Sequence, residues 1–273
     1  MVFASPDFPR SAKYDPEWII ENAMGPNVLW LTESLAQVMD LKPGMRVLDL
    51  GCGKAISSIF LAKEFDLQVW ATDLWIPPGE NWQRVRQAGL EDKVFPIHAE
   101  AHALPFADQF FDAILSMDAY HYFGTDDLYL GSHMVQLVKP GGQIGIIVPG
   151  LVQEWPASGD VGKATVQPRA PNKSGNMAHS NVPEEIPGHL RPYWEFEMTC
   201  LHSPGWWRRH WEKSGLLTVE LSDMMPNGWK HWLTSASVLA QRGIRPGYEE
   251  EAEMLRLDDG MNLGFTRMVA RRN

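Results

Sequence analysis

Apolar and polar positions along this chain switch between helical and extended periods, and the switches divide it into elements. Over residues 15–40 the spacing is helical. Asp15-Pro16-Glu17 forms an N-cap followed by proline at the first helical position. After the Gly25-Pro26-Asn27 break, Val28-Leu29-Trp30-Leu31 with Leu35, Val38 and Met39 continues one apolar face. Residues 46–50 are an apolar run too short for a helix that ends in glycines, which predicts a buried strand. Helical and extended patterns then alternate: helices over 57–65 and 81–88, strands over 67–72, 94–97 and 111–116. A helix over 126–138 is stopped by Pro140-Gly141-Gly142, and a strand over 143–148 follows. Such alternation predicts βαβ units with right-handed crossovers, hence an α/β, doubly wound, mostly parallel sheet with helices on both faces.

The alternation breaks after Pro149-Gly150. Residues 151–200 are rich in Pro, Gly, Asn and Ser and show no period, a length of loop that is usually functional. Regular structure returns at Ser203-Pro204, which opens a helix through Lys213. A strand over 216–225, helices over 230–241 and 247–257, and a strand over 264–270 complete seven predicted strands. The expected organisation is a helical cap over 1–44, a ligand-binding core over 45–150, an inserted lid over 151–203 and a return to the core over 204–273.

Composition narrows the function. The chain has 273 residues, 44% of them hydrophobic, enough for a sizeable core. A formal charge of -10 argues against a nucleic-acid partner, because phosphate binding draws on clustered Lys and Arg. No stretch approaches the roughly 20 apolar residues of a membrane span. Residues 1–6 lack the charged and apolar regions of a signal peptide. Two cysteines, Cys52 and Cys200, make neither a disulfide framework nor a zinc site, so no metal is expected. A cytoplasmic enzyme is the resulting expectation.

The chemistry is concentrated after the first strand, in Asp49-Leu50-Gly51-Cys52-Gly53-Lys54-Ala55. Glycines between a buried strand and a helix let backbone approach a ligand closely. A nicotinamide fingerprint fails at Ile56, where its third glycine would stand, and a phosphate-loop signature is absent. Asp49, just ahead of the glycines, would repel a pyrophosphate but suits a cofactor carrying an amino group and a sulfonium. Asp73 ends the second strand roughly 20 residues on, where an acid can bind ribose hydroxyls. Glu100 follows the third strand, at the place for an adenine edge.

In these segments the sequence resembles the class I S-adenosylmethionine-dependent methyltransferases. Val47-Leu48-Asp49-Leu50-Gly51-Cys52-Gly53 is similar to their first motif and Trp70-Ala71-Thr72-Asp73 to the second. Glu100-Ala101-His102-Ala103-Leu104-Pro105-Phe106 resembles an acid-Ala-x-x-Leu-Pro-Phe segment. Phe110 to Ser116 and Leu137 to Gly142 resemble the next two motifs, in order and at ordinary spacing. The resemblance implies a Rossmann-like methyltransferase fold and S-adenosyl-L-methionine as cofactor, leaving as S-adenosyl-L-homocysteine. It implies cofactor contacts from Asp49, Gly51, Cys52, Gly53, Asp73, Leu74, Glu100, Ala101 and Ser116. Two departures stand out: Ala55 replaces the family's third glycine, which calls for a negative φ there, and Glu100 replaces the commoner aspartate.

The acceptor is expected beyond the end of the fourth strand, in Ser116-Met117-Asp118-Ala119-Tyr120-His121-Tyr122-Phe123. Asp118 and His121 are candidates for orienting or deprotonating it, with Tyr120 beside them and Tyr122 lining the pocket. Trp207 and Trp211, four apart, share a helix face that packs on the sheet, whereas Trp206, Tyr193 and Trp194 are candidate pocket walls. The expected reaction is methyl transfer to N, O, S or C of a small molecule, and an acidic, aromatic pocket would also suit an amine. The alternatives are a macromolecular acceptor (RNA or protein) and a non-catalytic binding module.

Overall fold

The computed structural model describes residue 3, residues 5–155 and residues 185–273. Seven strands form one sheet in the order β3-β2-β1-β4-β5-β7-β6. They are β1 (Arg46–Leu50), β2 (Gln68–Asp73), β3 (Val94–His98), β4 (Phe111–Met117), β5 (Val138–Leu151), β6 (Leu217–Met224) and β7 (Leu263–Arg272). The first five run parallel, and β7 is antiparallel to both β5 and β6. The helices are α1 (Pro16–Glu21), α2 (Val28–Ala36), α3 (Ile56–Phe65), α4 (Pro78–Gln87), α5 (Pro204–Glu212), α6 (Gly228–Gln241) and α7 (Tyr248–Asp258).

The period-2 alternation of the strands sorts side chains into two cores, one on each face. Val47, Val69, Leu115, Ile147 and Val269 join one core with Ile59 and Phe60 of α3 and Leu31 of α2. Their neighbours Leu48, Ile114, Ile146 and Met268 join the other, beneath Trp207 and Trp211 of α5. Both tryptophans are fully buried, so their shared face does pack on the sheet.

Two elements differ from the pattern. Residues 126–138 do not form a continuous helix but a π turn, Leu130–Met134, followed by a 3-10 turn, Val135–Leu137. Met134, Val135, Leu137 and Val138 are all buried, so the apolar face is kept although the winding changes along it. The fifth strand is longer than residues 143–148, because β7 pairs with it as far as Leu151↔Leu263. Of the inserted region, residues 156–184 lie outside the described residues. Among the described residues, no helix is long and apolar enough to cross a membrane.

The order reverses between β1 and β4, whose crossovers leave in opposite directions. A crevice beyond their carboxyl ends is the place where such sheets take ligands.

Candidate cofactor and acceptor site

The β1–α3 turn is held open for a ligand by backbone geometry. Gly51 has φ +78°, and a Cβ there would lie 2.4 Å from the Ala119 Cβ. Gly53 has φ +54°, and Ala55 has φ +58°. The negative φ expected at Ala55 is therefore not found. The turn keeps the left-handed conformation of the glycine it replaces, at a cost of roughly 1–2 kcal/mol, and buries the methyl group. Gly51 and Cys52 N–H both donate to the Thr72 carbonyl, at 2.9 and 3.1 Å, which ties the turn to the end of β2.

Asp73 joins the two loops. Its Oδ2 accepts from Gly53 N at 2.8 Å, and its Oδ1 accepts from Trp75 N at 2.7 Å and Ile76 N at 3.0 Å. From α4, the buried Asn81 donates through Nδ2 to the Gly53 carbonyl at 2.9 Å. Arg84 donates to Asn81 Oδ1 at 2.9 Å and to Asn22 Oδ1 at 2.8 Å, so one guanidinium grips both the glycine turn's support and the segment after α1.

These groups surround a cavity of about 270 Å³, roofed by the segment Asn22–Val28. Gly51, Cys52, Gly53, Asp73, Leu74, Glu100 and Ala101 line it, together with Asp118 and Tyr122. Thr72 lines it too, and its Oγ1 is buried without a hydrogen-bond partner. Glu100 is half exposed at the rim, its carboxylate accepting from His102 N at 3.0 Å and lying 2.6 Å from His102 Nδ1. That contact holds its carboxyl below the usual range.

Two acids stand in different relations to the cavity. Asp49 is fully buried and not part of the lining. Its Oδ2 accepts from Ser57 and Ser58 Oγ, each at 2.6 Å, fixing the first turn of α3, while Oδ1 has no partner. Burial pushes its carboxyl up to about 6, against the pull of the two serines. Asp118 faces the cavity from the end of β4, with φ +55°. Burial, then the charge of Glu251, push it up to about 8, with Arg245 opposing.

A methyltransferase-domain family model matches residues 47–142, the stretch that builds this crevice. The chain is 26% identical over 178 residues to the 27-O-demethylrifamycin SV methyltransferase of Amycolatopsis mediterranei, covering 60% of this chain and 65% of that protein. Over residues 47–142 the chain is similar to methyltransferase domains.

It spans 39% to 65% of the length of the first curated relatives it matches. Two solved structures share the methyltransferase fold at low identity. Geranyl diphosphate C-methyltransferase from Streptomyces coelicolor A3(2) aligns with TM-score 0.62 and 18% identity, over 97% of this chain and 85% of its own. The [4+2]-cyclase SpnF aligns with TM-score 0.61 and 19% identity, over 89% of this chain and 79% of its own.

Several residues singled out in the sequence do not line the cavity. Ser116 is buried and donates through Oγ to the Leu50 carbonyl at 2.7 Å, joining β4 to β1. Tyr120 is fully buried in the second core, its ring 5.5 Å from that of Trp207 and 5.8 Å from that of Trp211. His121 is buried with Nδ1 unpartnered, and burial lowers its imidazole to about 4. Both are placed by Asp118: its left-handed φ turns the chain into a 3-10 segment, Tyr120–Tyr122, and breaks the strand alternation. Trp206 is sandwiched between His202 and His210, with centroids 3.6 and 4.5 Å away. Tyr193 and Trp194 pack on the first core, Trp194 against Trp155 at 5.8 Å. None of these three lines the cavity.

Other contributors were not anticipated: Thr72, Trp75, Asn81, Arg84 and the roof around Gly25. The Gly25-Pro26-Asn27 break was the one signal pointing to the roof, and it read as helix punctuation alone. Among the described residues, no group of three His, Cys, Asp or Glu converges as a metal site.

Proposed function

We propose that this protein is an S-adenosylmethionine-dependent methyltransferase acting on a small organic molecule. The reading is carried by one observation: a cavity at the sheet's reversal point, lined together by an open glycine turn, Asp73, Asp118 and the segment Asn22–Val28. The donor set fits the cofactor. Gly51 and Gly53 leave room for its backbone-like portion, Asp73 retains lone pairs for the ribose, and Leu74, Glu100 and Ala101 offer an apolar wall and an acceptor for the adenine. Asp49 lies behind the turn, where a cation in the cavity would stabilise its ionised form. When bound, the cofactor supplies a methyl group activated by a sulfonium.

The chain's own tasks are then to orient the acceptor and to exclude water. Asp118 and Tyr122 on the cavity lining meet the first need, and the segment Asn22–Val28 meets the second. His121, neutral and buried, supports the wall and does not exchange protons near neutrality. Small organic acceptors in the names of the rifamycin and geranyl diphosphate methyltransferases support this class of substrate. The cap over 1–44, which lines the cavity through Asn22–Val28, we assign to closing it.

The test is labelled methyl transfer from S-adenosylmethionine into a fractionated metabolite extract, with Asp73→Ala as the blank. Label in low-mass fractions, with wild type alone, is the expected result. Label in RNA or protein instead would overturn the small-molecule reading.

A further inference from the structure

Among the described residues, no group donates a hydrogen bond to the Asp118 carboxylate, although its side chain faces the cavity. Asp73, which also lines the cavity, has three backbone donors. The contrast is built in. Asp118 N–H is pinned to the Ile147 carbonyl at 2.9 Å, and the backbone there is left-handed, a conformation that persists where surrounding structure enforces it. Opposite it stands Gly25, where a Cβ would lie 2.4 Å from Asp118 Oδ2. A strained backbone aims the carboxylate, and a missing side chain makes room for it.

The neighbouring charges are already committed. Glu251, from α7, accepts from Trp232 Nε1, and Arg245, from the α6–α7 turn, lies over the Tyr248 ring at 4.6 Å. Tyr122, whose hydroxyl burial raises, stands on the same wall as Asp118. At the rim, Trp75 and Tyr122 present exposed rings 6.3 Å apart. A half-buried carboxylate without protein donors is poorly solvated, and an ammonium with N–H groups offsets that cost, while aromatic faces add to its binding. A hydroxyl acceptor gives one neutral hydrogen bond, and an anionic one gains no ion pair with Asp118.

We infer that Asp118, with Tyr122 and Trp75, forms a subsite for an amine-bearing acceptor, bound through its protonated nitrogen; that this amine is the methyl acceptor rests on the methyltransferase reading. The cofactor's own ammonium shares this chemistry, so the test separates the two.

Benzylamine and benzyl alcohol are titrated calorimetrically into protein saturated with S-adenosylhomocysteine, in two buffers of different ionisation enthalpy. With Asp118 at about 8, its carboxyl is protonated at pH 7, and an arriving ammonium favours the ionised form. Amine binding therefore releases a proton at pH 7 and tightens towards pH 8. Glu251, Arg245, Tyr122 and Tyr248 are the titratable groups facing Asp118, and Glu251 is the one whose raised carboxyl could share that release. Glu251→Gln should leave the release in place. The amine should bind about tenfold more tightly than the alcohol, and Asp118→Asn should abolish both preference and proton release while S-adenosylhomocysteine binding is kept. Equal binding of amine and alcohol overturns the inference. So does loss of S-adenosylhomocysteine binding in Asp118→Asn, which would give the carboxylate to the cofactor. If wild type fails to bind S-adenosylhomocysteine, the cofactor reading falls, and the same titrations without it still decide the subsite.

Discussion

Burial moves the titratable groups around the cavity in opposite senses, and each shift has a consequence for stability. Asp49 sits at about 6, above the ordinary carboxylate value, so its favourable contribution is complete below pH 4 and is lost as pH rises through 6. Asp49→Asn keeps an acceptor for Ser57 and Ser58 without that loss. Relative to wild type, the variant should gain on the order of 2–3 kcal/mol between pH 4 and 7 in urea unfolding. Parallel curves would contradict it. His121 behaves in the opposite way: its value of about 4 lies below that of a free imidazole. Its contribution is complete above pH 6.5 and is lost as pH falls through 4, so His121→Gln should flatten the acid-side fall of Tm. The places of Asp73 and the glycine turn on the cavity lining were legible because they depend on local backbone chemistry at a strand end. Those of Tyr120 and His121 were not, because a single left-handed residue, Asp118, redirects the chain that carries them.

At the scale of elements, α4 does more than cross over between strands. Asn81 and Arg84 brace the glycine turn from behind and reach the roof at Asn22. Asn81→Ala leaves the Gly53 carbonyl without that donor and Arg84 without one acceptor. It should weaken S-adenosylhomocysteine binding about tenfold, a cost of about 1–2 kcal/mol, measured by calorimetry. Unchanged affinity in a folded variant would remove the brace from the mechanism of binding. Neither residue has a sequence signature, since a polar position on an amphipathic helix reads as solvated surface until tertiary structure covers it. The apolar spacing over 126–138 fits a helix, and the π and 3-10 turns found there keep the same positions buried, so that difference in winding was not legible in the pattern.

Across the whole molecule, alternation of strands and helices made the layered sheet legible, and the five parallel strands follow from it. The insertion of β7 between β5 and β6 was not legible, because strand patterns carry no partner or direction. A buried arginine marks that insertion. Arg267 on β7 pairs bidentately with Asp223 on β6, at 2.9 and 2.7 Å, and donates to Ser34 O and Oγ on α2. Arg267→Met should destabilise the protein by about 2–3 kcal/mol, leaving ligand affinity unchanged, because the pair lies away from the cavity. The same fold also carries a cyclase, so architecture alone does not choose the reaction. The choice rests on the cavity and on what it binds. Calorimetric titration of S-adenosylhomocysteine into wild type and Asp73→Asn tests this most directly. Saturable one-to-one binding by wild type, weakened about tenfold or more in a folded Asp73→Asn, is the expected result. Absence of saturable binding by wild type, or equal binding by the two proteins, would contradict it.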